Sequence, residues 1–197
     1  SAKSLWPVLK SKKQGFVDKA RDAAITGRER HVHTARPGYL PYPQRSIRTI
    51  DYQFIINFKP DRWPLGDPYG LDGDGEPSYS LLENRTFVTL ADEDAGPTKA
   101  WIVTNRNDPE VKPIYKAVYG KRPKAELYDL KKDPDQMKNL ANSPKHAQTV
   151  QKLRQRLMKY LRETNDPRLI EDGKFFETPP MAGLPKGQRT IEQAIAD

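Results

Sequence analysis

The sequence contains no cysteine, which excludes disulfides, thiolate metal centres and a cysteine nucleophile within these residues. No apolar run approaches the ~20 residues that span a bilayer. The opening "SAKSLWPVLKSKKQ" lacks the apolar stretch of a secretory leader. No association with a membrane is therefore expected. There is no glycine-rich phosphate cradle ahead of a helix, no serine in a strand-to-helix nucleophile elbow and no internal repeat. With only three histidines, at His31, His33 and His146, the supply of neutral-pH acid–base groups is small.

What the chain does have is charge and proline. Thirty-four Lys and Arg against 26 Asp and Glu leave a net charge of +8, a balance that favours anionic partners: nucleic acid, acidic polysaccharide, or phosphorylated and sulfated ligands. Eighteen prolines and a hydrophobic share of 36% in 197 residues predict one modest core with long proline-pinned loops.

Periodicity places the elements. The segment on both sides of Gly15, with Phe16, Val17, Ala20, Ala23 and Ala24, reads as short helical material. "SIRTIDYQFIINF" alternates, with Ile50, Tyr52, Phe54, Ile56 and Phe58 on one face, and predicts a single half-buried strand. "KPDRWPLGDPYGLDGDGEP" (59–77) reads as an irregular surface excursion. Short helices are expected over Ser78–Phe87, from about Pro97 through Trp101, and over Val111–Tyr119. "AELYDL" (Ala125–Leu130) predicts a second strand, followed by a turn around Asp133 and Pro134. A long helix follows, capped by Ser143, with Val150, Leu153, Leu157, Tyr160 and Leu161 along its apolar face. Its outer face carries Lys145, Lys152, Arg154, Arg156, Lys159 and Arg162. Without interleaved aromatics these make a solvated face, and nucleic acid is not expected as a partner.

The chemistry-bearing stretch is "GRERHVHTARPGYLPYPQRSIRT" (Gly27–Thr49). His31 and His33 fall on one side of an extended segment, but zinc needs further ligands that no local cluster supplies. Asp72, Asp74 and Glu76 imitate the start of a calcium loop, yet Pro77 stands where glycine is required. No metal site is expected here.

"ELYDLKKDPDQMKNLA", together with "YLRETNDPRL", "LLENRTF" and "PYPQRSIRT", resembles the carboxy-terminal part of the sulfatase family. The resemblance implies an α+β fold: a small antiparallel sheet packed on a long carboxy-terminal helix, with extended loops and a terminal arm, from an alkaline-phosphatase-like enzyme. It implies a remnant of the connection from an amino-terminal catalytic domain at 1–26, the sulfatase carboxy-terminal domain at 27–169 and the arm at 170–197. The substrate implied is a sulfated sugar, N-sulfoglucosamine of a heparan-type glycosaminoglycan.

In the family, a formylglycine made from Cys or Ser in a Cys/Ser-x-Pro-x-Arg motif and a calcium ion perform the chemistry. No serine of this chain has proline two residues on, so no catalytic residue is expected here. The segment 27–49 would instead reach toward the catalytic domain's pocket, with His31, His33, Arg45 and Arg48 binding substrate. Arginine suits that role because its fork pairs bidentately with sulfate. The partners implied are the sulfated saccharide, the chain's own catalytic domain and a possible second copy, in a periplasmic, secreted or lysosomal setting. The contrasting expectation from charge alone is a basic module that binds anionic polymers without catalysis.

Overall fold

A computed structural model describes residues 4–73 and 75–178. In chain order its helices and strands are α1 (Trp6–Leu9), β1 (Ala23–Arg28), β2 (Gln44–Thr49), β3 (Tyr52–Asn57), α2 (Tyr79–Asn84), α3 (Pro97–Thr104), α4 (Lys112–Tyr119), β4 (Ala125–Asp129), α5 (Ala147–Glu163) and α6 (Lys174–Glu177), with short 3-10 turns between. The described residues divide into two compact units, one built from 4–27, 44–56 and 125–172, the other from 28–43, 57–73, 75–124 and 173–178.

The first unit is the expected α+β arrangement. Four strands are ordered β1-β2-β3-β4, and β3 runs antiparallel to β4 with Tyr52 opposite Asp129 and Phe54 opposite Leu127. Helix α5 packs against β2, and Leu153, Leu157 and Leu161 are buried together with Ile47, Phe54, Ile56 and Leu127. The spacing of those leucines is that of one helix face. Arg154 does not lie on the solvated face: its guanidinium sits 5.6 Å from the Phe54 ring centroid, burying its stem on the sheet.

Several expectations are corrected here. The strand predicted through Ile50 is two strands: β2 ends at Thr49, β3 starts at Tyr52, and Ile50 lies at the turn, 75% exposed. Thr49 makes the turn, its Oγ1 accepting from the Tyr52 N–H at 3.0 Å and donating to the Tyr52 carbonyl at 3.1 Å. Ala23 and Ala24 are not helical but open β1, where pairing with β2 overrides alanine's helix propensity. Tyr160 is 45% exposed, off the buried stripe of α5. Ser143 precedes a 3-10 turn over Pro144–His146 and pairs through Oγ with His146 Nδ1 at 3.1 Å instead of capping, so α5 begins at Ala147.

The end of α5 explains the "ETNDPRL" motif. Asn165 takes a left-handed φ of 51°. Its N–H bonds the Arg162 carbonyl at 3.1 Å, and the Asp166 N–H bonds the Leu161 carbonyl at 2.9 Å. This pair of bonds is the Schellman stop, satisfying helix-end carbonyls. Asp166 then caps the following turn, accepting from the Arg168 N–H at 2.9 Å.

The second unit is helical and loop-rich. Leu71, Leu82, Leu90, Ala100, Ile102, Val103, Val111 and Tyr119 form its core, with Leu65, Tyr115 and Val118 packed alongside. Ser78 caps α2 as its residue type favours, its Oγ accepting from the Leu81 N–H at 3.2 Å. Helices α3 and α4 lie where expected. Of the arm expected at 170–197, residues 179–197 lie outside the described residues.

Lys99 of α3 is almost fully enclosed, at 1% exposure. Its ammonium donates to the carbonyls of Thr86 (3.2 Å), Leu90 (3.2 Å) and Glu93 (2.9 Å), fastening the loop 86–93. Burial lowers its pKa from 10.5 to about 8, against the pull of Glu93 and Asp94. Between those two values the unfolded chain holds a proton that the folded chain has lost, so this lysine makes stability rise with pH from about 8 to 10.5. The stability difference between the wild type and Lys99→Met should therefore grow in the wild type's favour across that window. Urea melts at matched pH values test this, and a difference that stays constant from pH 8 to pH 10 would overturn it.

Candidate functional site

The loop between β1 and β2 carries His31 and His33, and its shape is set by one buried carboxylate. Asp92, whose side chain is fully enclosed, accepts from Arg28 Nη2 and Arg36 Nη2, each at 2.8 Å, through Oδ2. Through Oδ1 it accepts from the Val32 N–H at 2.8 Å. Arg36 is itself buried and also donates to the carbonyls of Trp63 (2.8 Å) and Pro64 (2.9 Å). Backbone bonds fix the segments around this centre: Asp67 N–H to Ala35 O at 2.9 Å, Leu90 N–H to Asp67 O at 3.1 Å and Asp92 N–H to Leu65 O at 3.0 Å. Gly66 permits that approach. Its φ is 96°, and a Cβ there would stand 2.8 Å from the Ala91 nitrogen.

On this frame His31 is exposed, with Nδ1 3.3 Å from the Asp92 carbonyl oxygen. His33 is half-buried, its ring centroid 5.9 Å from that of Tyr39, and its Nε2 is enclosed with no hydrogen-bond partner among the described residues. Arg30 ties the loop further by donating to the carbonyls of Tyr39 (2.8 Å) and Phe176 (2.7 Å).

Arg45 and Arg48 belong to the first unit. Arg45 is buried, and its fork meets Asp166 bidentately, Nε to Oδ2 at 2.7 Å and Nη2 to Oδ1 at 2.9 Å. Gly27 makes room for that side chain, since a Cβ at position 27 would stand 2.8 Å from Arg45 Cδ and 3.0 Å from its Nε. Arg48 is exposed and donates to Gln53 Oε1 at 2.8 Å. The arginines that sequence reasoning assigned to an anion outside the chain thus have partners within it. Asp166, which receives Arg45, and Asp92, which receives Arg28 and Arg36, went unrecognised because their arginine partners lie 56 to 121 residues away. Gly27 was the one readable trace.

No group of three or more His, Cys, Asp or Glu converges among the described residues, and Glu76 of the calcium-like stretch pairs with Arg106.

No family model matches the chain. A curated protein does: human N-sulphoglucosamine sulphohydrolase is 30% identical over 149 residues, which cover 74% of this chain and 24% of that protein. The chain is a relative of the sulfatases. It spans about a quarter of the length of the curated relative that it matches. Among solved structures, BT4656 in complex with its substrate D-glucosamine-2-N,6-O-disulfate aligns with 85% of this chain and 21% of that chain, at 19% sequence identity and a TM-score of 0.42. The sulfatase resemblance carried by "ELYDLKKDPDQMKNLA" and the segments around it is thereby supported over three-quarters of the chain. No helix among the described residues is long and apolar enough to cross a membrane.

Proposed function

We propose that this chain is the carboxy-terminal domain of a sulfohydrolase that removes sulfate from a sulfated sugar, N-sulfoglucosamine of a heparan-type glycosaminoglycan. The observation that carries this reading is the match to N-sulphoglucosamine sulphohydrolase. Nucleophile and calcium would be supplied by an amino-terminal catalytic domain, and the working enzyme would lie outside the cytosol.

Of the four residues expected to touch the sugar, His31 keeps an exposed ring, and His33 has a nitrogen without a partner among the described residues that is enclosed and would have to be uncovered first. These two are the contacts we assign to substrate, as donors or acceptors to sugar hydroxyls or an N-sulfate. Arg45 and Arg48 would each have to release a partner, Asp166 and Gln53, before binding an anion.

The test compares this chain with the product of its complete reading frame. The purified 197-residue chain should release no sulfate from an N-sulfated glucosamine disaccharide, with or without calcium, because nothing in it serves as nucleophile. The longer product should contain a Cys/Ser-x-Pro-x-Arg motif and release sulfate. Calcium-dependent release by the chain alone, or a complete frame lacking that motif, would overturn the reading.

A further inference from the structure

The second unit contains an open cavity of about 880 Å³ that shares no lining residue with the loop bearing His31 and His33. Helix α4 lends it Lys112, Tyr115 and Lys116, and their i, i+3, i+4 spacing places them on one helix face. The proline-rich excursion lends Trp63, half-buried, and Lys121 brings its Nζ to 5.2 Å from the indole centroid. Behind them stands Arg106, buried, donating to the carbonyls of Leu71 (2.8 Å) and Val103 (3.1 Å) and paired with Glu76.

Charge in the cavity is therefore of two kinds. Arg106 is committed to the protein and acts as a structural pin. Lys112, Lys116 and Lys121 show no ion pair with a carboxylate among the described residues, although the charge of Lys121 is felt by the Asp67 carboxyl, and Asp72 is the lining acid not paired with an arginine. Unpaired ammoniums around half-buried rings, in a cleft within the range of ~300–1,000 Å³ typical of ligand sites, describe a seat for an anion with an apolar face. A sulfated sugar has both parts: its charges meet lysine, and its C–H face lies on aromatic rings.

We propose that this cavity is a second binding site, for a sulfated or carboxylated saccharide segment, held by Lys112, Lys116 and Lys121 around the Trp63 and Tyr115 rings. The choice of saccharide over other anions rests on the sulfohydrolase reading; the charge and shape of the cavity do not. Such a site would hold a part of a polysaccharide other than the residue undergoing cleavage.

The experiment is a titration of the 197-residue chain with an N-sulfated heparin-derived tetrasaccharide, followed by calorimetry and by tryptophan fluorescence. Binding is expected, with a fluorescence change that disappears in Trp63→Phe. The combined Lys112→Gln, Lys116→Gln and Lys121→Gln variant should bind at least about tenfold more weakly, the scale of lost charge-assisted contacts. Lys152→Gln with Arg162→Gln on α5 should bind as the wild type does, and thermal melts confirm that all variants are folded. Undiminished binding by the triple variant, equal losses in the α5 variant, or tighter binding of a single-stranded oligonucleotide at the same lysines would each overturn the proposal. The readout needs no catalysis, so an intact enzyme that released no sulfate would defeat the proposed function and leave this binding untouched.

Discussion

Asp92→Ala is expected to destabilise the chain by about 3–5 kcal/mol, the range for removing one partner from a buried ion pair. Arg36 is 2% exposed and cannot turn to water, and the variant leaves its guanidinium enclosed with the carbonyls of Trp63 and Pro64 as hydrogen-bond acceptors and the Asp67 carboxylate as a nearby charge. The cost is concentrated in the loop as well as in the global midpoint, because Asp92 also receives the Val32 N–H. In hydrogen exchange, the Val32 amide should lose its protection in Asp92→Ala and keep part of it in Asp92→Asn, which retains an acceptor there but drops the charge. The urea midpoint supplies the second measurement. A midpoint within about 0.5 kcal/mol of the wild type, the ordinary size of a surface substitution, would mean that the two arginines do not depend on Asp92.

The part of this architecture that could be read from the sequence is the part governed by local rules. Leu153, Leu157 and Leu161 recur at helical spacing, Pro97 and Ser78 mark helix starts, and "AELYDL" forms β4. Each signal lies within one element. The misread segments are those where partners distant in sequence decide. Ala23 and Ala24 become strand because β2 lies beside them. Ile50 extends an apolar alternation across a turn that contains neither glycine nor asparagine, the residues that usually announce a hairpin. The same limit governs the candidate site. The count of arginines between Gly27 and Thr49 was legible, and their direction was not, since inward or outward depends on carboxylates at positions 92 and 166.

Arg45 shows what that difference means for function, and its replacement is the second large effect expected. As a contact to a sugar anion, Arg45→Ala would lower kcat/KM of the intact enzyme about ten- to a hundredfold, with stability little changed. As the partner of Asp166 it does something else. Arg45 is 7% and Asp166 14% exposed in their side chains, so Arg45→Ala should cost about 3–5 kcal/mol and loosen the stop at the end of α5 that Asp166 helps to form. The geometry supports the stability effect as the larger.

Acid pH separates the two roles further. Burial raises the pKa of Asp166, but the Arg45 side chain, the Arg168 N–H and the two positive charges outweigh it and hold the carboxyl below its usual 3.8. A depressed carboxylate stabilises the fold above its unfolded pKa and loses that contribution as pH falls through the folded value. Wild-type stability should therefore decline below about pH 4 in a way that Arg45→Met, which removes the charge, reproduces less steeply. Arg45→Lys should recover charge but not the bidentate fork, giving an intermediate melt. Unfolding of the wild type, Arg45→Ala, Arg45→Met and Arg45→Lys between pH 3 and pH 7 decides the matter. Superimposable pH profiles and a midpoint unchanged in Arg45→Ala would return Arg45 to the sugar and leave Asp166 as no more than the cap of a turn.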